Sequence, residues 1–277
     1  MMKNRKPAAV LLALSVLLSW NLSAEGQYEK EASHIKLATT TSTENSGLLA
    51  ELLPVYQEDS GIIVDVIAVG TGKAIALGEN GDVDVILVHA RSREDAFVEG
   101  GYGVNRRDVM HNDFVLLGPS SDPAGIKGMN TAADALAAVA ASESDFMSRG
   151  DDSGTHTKEK SLWKAAGLSP SGEWYKETGQ GMGAVLTMTN EVQGYTMTDR
   201  GTWLAMKDKL DLEVLVEGDP ILFNPYGVIA VNPELHSHTD YEGAMSFITF
   251  LTGPKGQAII RDFKKNGEPL FYPDAMK

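Results

Sequence analysis

Short apolar runs alternate with segments of helical periodicity along the first 120 residues. Five large side chains recur at three- and four-residue spacing: Leu48, Leu49, Leu52, Leu53 and Tyr56. This spacing indicates an amphipathic helix, whereas short apolar runs such as 85–88 indicate buried strands. The pattern predicts strands at 34–38, 62–69, 83–88 and 113–117, a helix from about residue 44, a short helix ending near residue 78, and a helix at 92–98.

After a turn-rich stretch at 118–123 the same alternation resumes. The pattern predicts helices at 131–141, 155–166, 182–191 and 201–209, strands at 144–148, 194–198, 212–217 and 226–231, and closing helices at 241–251 and 254–264. Strands that alternate with helices are typical of parallel α/β sheets. We therefore expect an α/β protein of two lobes, each a mixed, mostly parallel sheet flanked by helices, with a ligand cleft between the lobes.

Five consecutive hydroxyl residues, Thr39 to Thr43, lie between the first predicted strand and the first predicted helix. A strand-to-helix turn presents free backbone N–H groups and a partial positive charge, which suits an oxyanion. Hydroxyl groups donate hydrogen bonds without adding charge, so Thr40, Thr41 and Ser42 are candidate ligand-binding residues. The alternative is structural, because Thr41 and Glu44 also match a helix capping box.

A second strand end carries a hydroxyl between two glycines, Gly70-Thr71-Gly72. Glycines let backbone N–H groups approach a ligand closely, which makes Thr71 a candidate binding residue. The segment lacks the spacing of a dinucleotide fingerprint or of a phosphate-binding Walker loop. A tight turn with no ligand remains the alternative interpretation.

The loop after the predicted strand 144–148 combines an arginine with several hydroxyls, and its candidate binding residues are Arg149, Ser153 and Thr155. A guanidinium group offers a planar fork of donors to two oxygens of one anion. The alternative for Arg149 is a surface ion pair with Asp151 or Asp152. A serine hydrolase using Ser153 and His156 is a further alternative, but no residue can be assigned to orient the histidine.

The predicted strand 194–198 ends in a similar way, with Thr198 and Arg200 before a helix. Both residues are candidates for the oxyanion site. Thr198 could instead be the N-cap of the helix that follows, which is a common role for threonine. No other segment of the sequence predicts a catalytic or a metal site.

The N-terminus has the pattern of a secretory signal peptide. Lys3, Arg5 and Lys6 precede the uncharged apolar run 7–18, and cleavage is expected near Ala24. An uncleaved N-terminal anchor is the alternative. The sequence contains no cysteine, which excludes a lipid-modified cysteine, disulfides and thiolate metal sites. We expect a periplasmic protein whose signal peptide, residues 1–24, is removed.

The charge of the chain argues against several classes of partner. The sequence has 24 basic and 38 acidic residues, and the first 24 residues contain three basic and no acidic ones. Residues 25–277 therefore carry 21 basic against 38 acidic residues, a net charge of about −17. Such a surface repels nucleic acid and anionic membranes. A small anion must therefore be bound by local hydrogen bonds rather than attracted by the overall field.

The chain resembles the tungstate-binding proteins of bacterial ABC transporters over residues 35–275. The resemblance depends on four motifs in order: Ala38–Thr43, Val69–Gly72, Arg149–Thr155 and Gly194–Arg200. It implies a class II periplasmic binding protein that closes on one tungstate ion and passes it to a membrane permease. The domain boundaries that we predict are 25–115 and 221–277 for lobe 1 and 116–220 for lobe 2, with the C-terminal segment returning to lobe 1.

The same resemblance implies a binding protein rather than an enzyme. We expect a monomer with no cofactor and no metal site, since tungsten would be held only as the tungstate oxyanion. The candidate ligand residues that match the family motifs are Thr40, Thr41, Ser42, Thr71, Arg149, Ser153, Thr155, Thr198 and Arg200. Molybdate, sulfate or phosphate remain alternative ligands, because such ions share charge and shape.

Overall fold

The computed structural model describes residues 33–151 and 153–275. The predicted signal peptide and its cleavage site near Ala24 lie outside the described residues, and so does Asp152. Within the described part of the chain, no helix is both long enough and apolar enough to span a membrane.

Helices and strands alternate through most of the described chain. The helices are α1 (Thr41–Ser46), α2 (Leu48–Ser60), α3 (Thr71–Glu79), α4 (Arg91–Glu99), α5 (Ala132–Ala141), α6 (Gly154–Ala165), α7 (Met182–Val192), α8 (Arg200–Met206), α9 (Tyr241–Thr252) and α10 (Pro254–Asp262). The strands are β1 (Ser33–Thr40), β2 (Ile62–Val69), β3 (Val85–Val88), β4 (Gly103–Pro119), β5 (Phe146–Ser148), β6 (Tyr175–Glu177), β7 (Thr196–Asp199), β8 (Leu212–Val216), β9 (Phe223–Val231), β10 (Lys264–Lys265), β11 (Glu268–Pro269) and β12 (Tyr272–Pro273). Most predicted elements are present to within a few residues. The exceptions are β4 and the first predicted helix, and β6 and β10–β12 were not predicted.

Strand β1 lies in the middle of the N-terminal part of the sheet, parallel to β2 on one side and to β3 on the other. The register pairs Thr40 with Val69 and Thr39 with Leu87. Parallel strands in register end at the same edge of the sheet. The residues that follow β1, β2 and β3 are therefore neighbours.

Strand β4 is much longer than predicted and joins the two halves of the sheet. Its antiparallel partners are β9 and β12 along its first part and β7 and β8 along its second part. Register shifts after Val104 and Asp108, and a left-handed backbone at Asn105 (φ 56°), interrupt the alternation of side chains in its first part. This irregularity explains why the sequence pattern predicts only 113–117. The mixed α/β sheet with flanking helices is confirmed, although every pairing made by β4 is antiparallel.

Buried apolar side chains cover both faces of the β9-β3-β1-β2 part of the sheet. On one face, Ile86 and Val88 pack with residues of α3 and α4, such as Ile75 and Phe97. On the other face, Val85 and Leu87 belong to a cluster that includes residues of α2, α9 and α10. All four side chains of β3 are therefore buried, two on each face of the sheet. This accounts for the uninterrupted apolar run 85–88 in the sequence.

A separate apolar cluster lies within the segment from Phe114 to Leu222. It includes Phe146, Trp163 and Tyr195, and the Phe146 and Trp163 ring centroids are 5.1 Å apart in an edge-to-face arrangement. The described residues, 33–151 and 153–275, nevertheless form one compact unit. The lobe boundaries at 115/116 and 220/221 remain a prediction.

The N-cap residues of two helices differ from those considered from the sequence. The cap of α1 is Thr40, whose Oγ1 accepts the N–H of Thr43 at 3.2 Å, rather than Thr41. The cap of α8 is Asp199 rather than Thr198. Gly47, with φ 90°, ends α1 and starts α2, so the single predicted helix is two helices.

The C-terminal segment after α10 forms a hairpin and an edge strand of the sheet. Strands β10 and β11 form a small antiparallel hairpin, and β12 pairs with β4. From this hairpin, the Lys265 ammonium donates to the carbonyl of Asn45 in α1 at 3.3 Å, and Asn266 donates to the carbonyl of Leu204 in α8 at 2.6 Å. One short hairpin thus contacts helices that follow two different strand ends.

Candidate functional site

The hydroxyl side chains at the end of β1 form one connected group. Thr40 Oγ1 lies 3.0 Å from Ser42 Oγ and 2.7 Å from Thr43 Oγ1. Thr39, by contrast, donates to the carbonyl of Leu87 and belongs to the sheet. Thr41 and Ser42 are exposed, whereas Thr40 is almost completely buried. Glu44, the acidic residue of α1, is exposed.

His89 completes this group, although the sequence analysis did not select it. It follows β3 directly, and its Nε2 lies 3.3 Å from both Thr40 Oγ1 and Ser42 Oγ. Burial lowers the pKa of His89 below its ordinary value, while a hydrogen bond with Asn224 and the charge of Asp199 act in the opposite direction. A polar residue directly after a predicted buried strand was the only signal in the sequence that could have identified it.

Thr71 lies at the same edge of the sheet, two residues beyond the Val69 that pairs with Thr40. It is the first residue of α3, whose N-cap Gly70 supplies no side-chain hydrogen bond. The first backbone N–H groups of α3 are therefore not capped by a side chain of the N-cap residue. A Cβ atom added at Gly72 would lie 3.5 Å from an Arg93 side-chain nitrogen, which places a guanidinium group beside this turn.

The loop between β5 and α6 holds Arg149 and Ser153, and Thr155 is the second residue of α6. Arg149 donates through Nε (3.1 Å) and Nη2 (2.5 Å) to one carboxylate oxygen of Asp151. Asp151 also accepts the backbone N–H of Ser153. Although burial acts in the opposite direction, hydrogen bonds from Ser153 and Arg149 hold the pKa of Asp151 below its ordinary value. The Nη1 edge of Arg149 is not part of this ion pair.

A buried carboxylate supports this loop from behind. Glu159 in α6 accepts hydrogen bonds from Ser148 Oγ (2.8 Å), Trp163 Nε1 (3.1 Å) and the Tyr175 hydroxyl (2.8 Å). Burial raises the pKa of Glu159, and the three hydrogen bonds oppose that rise. Because Ser148 directly precedes Arg149, Glu159 fixes the point at which the loop leaves β5.

Thr198 lies in β7 and Arg200 follows this strand as the first residue of α8. Just before β7, Tyr195 forms a parallel bridge with Phe146 of β5. Thr198 is fully buried, and its hydroxyl donates to the carbonyl of Asp199 at 3.2 Å. The Arg200 guanidinium is occupied by the carboxylates of Asp113 and Glu217.

These two ion pairs line a cavity of about 510 Å³ that also includes His111, Phe223 and Tyr272. Among the predicted site residues, the structure brings Thr40 and Ser42 into direct contact and places Thr71 at the same sheet edge. Arg149 and Ser153 lie in the loop before α6, and Thr155 lies in its first turn. The Arg200 side chain is directed to a different group of residues.

The arrangement at Ser153 differs from that of a hydrolase. Ser153 Oγ accepts the backbone N–H of His156 at 3.3 Å and so caps α6. The His156 Nε2 lies 3.6 Å from a carboxylate oxygen of Glu177. Among the residues that the structure describes, no group of three or more His, Asp or Glu side chains is placed to hold a metal ion.

Comparisons with known proteins identify the family of this chain. The model of the PBP superfamily domain matches residues 26–255. A protein of Peptoclostridium acidaminophilum described as tungstate-binding protein TupA is 46% identical over 277 residues, covering 98% of this chain and 97% of its own. This chain belongs to the TupA family of the PBP superfamily.

Solved structures of TupA-family proteins have the same fold. The tungstate-binding protein TupA from Desulfovibrio alaskensis G20 is 48% identical, with a TM-score of 0.84 over 88% of this chain and 99% of that chain. The structure of the tungstate ABC transporter from Geobacter sulfurreducens is 57% identical, with a TM-score of 0.72 over 83% of this chain and 98% of that chain. The predicted resemblance to tungstate-binding proteins is therefore confirmed, and the family is one of solute-binding proteins.

Proposed function

We propose that this TupA-family protein binds a tetrahedral oxyanion, tungstate, outside the cytoplasm and delivers it to the permease of an ABC transporter. The observation that carries the proposal is the contact between the Thr40 and Ser42 hydroxyls, 3.0 Å apart. Both lie at the sheet edge where Thr71 is also found. Relatives that are described as tungstate-binding proteins support the choice of tungstate over other anions of this shape.

An oxyanion has only acceptor oxygens, so a water-poor site must supply donors to each of them. Hydroxyl groups of Thr40, Ser42 and Thr71 and the first N–H groups of α3 are neutral donors. Arg149 adds a charged donor. Asp151 occupies only one edge of its guanidinium group, so the Nη1 edge can donate to the ligand.

The negatively charged Asp151 lies next to a candidate site for a dianion, where it would repel the ligand. Its contacts reduce this repulsion. Its two oxygens accept from Arg149 and from the Ser153 backbone, so its charge is engaged within the loop. In this proposal Asp151 holds the arginine in place, and Ser153 and Thr155 contribute hydroxyl or backbone donors from the start of α6. Thr41 and Thr198 have weaker support, because one is exposed and the other is fully buried.

The remaining parts of the proposal concern the setting of the protein. We propose two lobes with boundaries at 115/116 and 220/221, a monomer, no enzymatic activity, and no cofactor. The signal peptide would be cleaved near Ala24 and the protein released into the periplasm. Intact-mass analysis of protein from the periplasmic fraction tests the processing step, because a mass that includes Met1 contradicts it.

Isothermal titration calorimetry of the purified protein with tungstate, molybdate, sulfate and phosphate tests the function. We expect stoichiometric binding of tungstate, and weaker or absent binding of sulfate and phosphate. Chromogenic esters serve as the control for the hydrolase alternative, and no product release is expected. Absence of tungstate binding by a folded protein would overturn the proposal.

A further inference from the structure

His89 lies between the hydroxyls of Thr40 and Ser42 on one side and the paired strands β4 and β9 on the other. One ring nitrogen, Nε2, is 3.3 Å from Thr40 Oγ1 and 3.3 Å from Ser42 Oγ. The other, Nδ1, is 3.3 Å from Asn224 Oδ1. The ring also packs on Tyr226, with centroids 4.7 Å apart.

The Asn224 amide determines which ring nitrogen of His89 carries the hydrogen. Asn224 Nδ2 donates to Asn112 Oδ1 at 2.8 Å, so the acceptor Oδ1 of Asn224 is directed at His89. Asn112 and Asn224 are register partners on β4 and β9, which holds this amide pair in place. An acceptor at Nδ1 requires an N–H there, so Nε2 of a neutral ring is an acceptor.

The single lone pair of an Nε2 acceptor competes with an oxyanion for the hydroxyl hydrogen of Thr40 or of Ser42. Thr40 Oγ1 already accepts the N–H of Thr43 and can donate its single hydrogen to only one partner. When Nε2 carries a proton, it donates to the hydroxyl oxygens instead. Both hydroxyl hydrogens can then be directed at the ligand.

The charges around His89 define the direction of this effect. Burial favours the neutral ring in the free protein, whereas Asp199, at the start of α8, favours the protonated ring. Asp199 is itself engaged as a helix cap by the N–H of Thr202. Tyr226 stays neutral, because burial raises the pKa of its hydroxyl. An incoming dianion adds a strong preference for the protonated ring.

We propose that His89 is a positioning residue of the oxyanion site, which takes up a proton on ligand binding and so directs the Thr40 and Ser42 hydroxyl hydrogens to the ligand. The inference rests on the proposed function. By linkage, a protein that takes up a proton with its ligand binds more tightly as the pH falls towards the pKa of the free group.

Calorimetry with tungstate near pH 7, in two buffers with different heats of ionisation, measures the protons taken up per ligand. The wild-type protein should take up a fraction of a proton, at most about one. H89Q should bind at least about tenfold more weakly and without uptake, since it loses a hydrogen bond that supports a charged ligand. The control is H34Q, because His34 is exposed and pairs with Asp65; its proton uptake should equal that of the wild type.

A second variant tests the role of the amide. N224D places a carboxylate on Nδ1, so the ring is protonated before the ligand arrives and proton uptake near pH 7 should fall. Circular dichroism of each variant confirms folding. If folded H89Q takes up as many protons as the wild type, His89 is not the group and the inference is overturned while the proposed function stands. If the wild-type protein binds no tungstate, both are overturned.

Discussion

The guanidinium group of Arg200 binds both carboxylate oxygens of Asp113, from Nε at 2.6 Å and from Nη2 at 2.7 Å. Both side chains are largely buried, with 11% and 7% of their areas exposed. The pair connects the start of α8 to β4, next to the register pair of Phe114 and Asp199. It gives Arg200 a structural role that competes with the ligand role predicted from the sequence.

Replacement of Arg200 by methionine should destabilise the protein. The buried Asp113 carboxylate would lose its partner, and breaking such a pair costs about 3–5 kcal/mol of unfolding free energy. Urea denaturation of R200M measures this loss. R261M is the matched control, because Arg261 pairs with Asp262 at an exposed site and no measurable change is expected there. If R200M keeps wild-type stability but loses tungstate binding, Arg200 is a ligand residue.

Replacement of Arg149 by alanine should weaken tungstate binding by about 2–5 kcal/mol, the range for removing one partner of a buried charged contact. R149K should restore only part of the affinity, because an ammonium group lacks the planar pair of donors. Tungstate titration measures both effects, and circular dichroism checks folding. Binding of R149A within about threefold of wild type would mean that Arg149 serves only its ion pair with Asp151.

Replacement of Thr71 by alanine should have a smaller effect. The expected loss is about 1–3 kcal/mol of binding free energy, the value for one hydrogen bond to a charged group. T187A is the control, because the Thr187 hydroxyl bonds only to the carbonyl of Gly183 within α7. Equal tungstate affinities for T71A and T187A would argue against a hydroxyl contact from Thr71.

Replacement of Glu159 by glutamine should change the pH dependence of stability. Burial raises the pKa of Glu159 in the folded protein, so the folded state binds its proton more strongly than the unfolded state. The contribution of protonated Glu159 to the unfolding free energy is therefore fully present below the pKa of glutamate in the unfolded chain, about 4.3. It is lost as the pH rises through the raised pKa of Glu159 in the folded protein.

Urea denaturation of wild type and E159Q over this interval measures the difference in unfolding free energy. The wild type should lose stability relative to E159Q as the pH rises. E159A should be less stable than E159Q by about 1–3 kcal/mol, because it leaves buried donors such as Trp163 Nε1 without an acceptor. If the difference in unfolding free energy between wild type and E159Q is the same at all pH values, the pKa of Glu159 is not raised in the folded protein.

The sequence predicted those parts of the molecule that depend on local order. The apolar run 85–88 and the spacing of residues from Leu48 to Tyr56 define buried elements by themselves, because side-chain periodicity follows the local backbone. The hydroxyl tract after β1 was likewise visible as a strand-end motif.

Contacts between distant residues could not be predicted from the sequence. His89 bonds to Asn224, 135 positions away, and Arg200 bonds to Asp113, 87 positions away. A single histidine after a strand has no spacing that reveals such a partner. For the same reason the first part of β4 was missed, since its pairing with β9 compensates for a polar and irregular local sequence.

The hairpin of β10 and β11 contacts α1 through Lys265 and α8 through Asn266, and the sequence contains no cysteine. A single cysteine introduced at the exposed Lys264 would therefore be the only thiol in the molecule, and one fluorophore could be attached there without competing labels. Because the hairpin contacts helices that begin at two strand ends of the candidate site, its dye would report rearrangement of either helix as a change in emission. The natural scaffold is thus suited to conversion into an optical sensor for its anion.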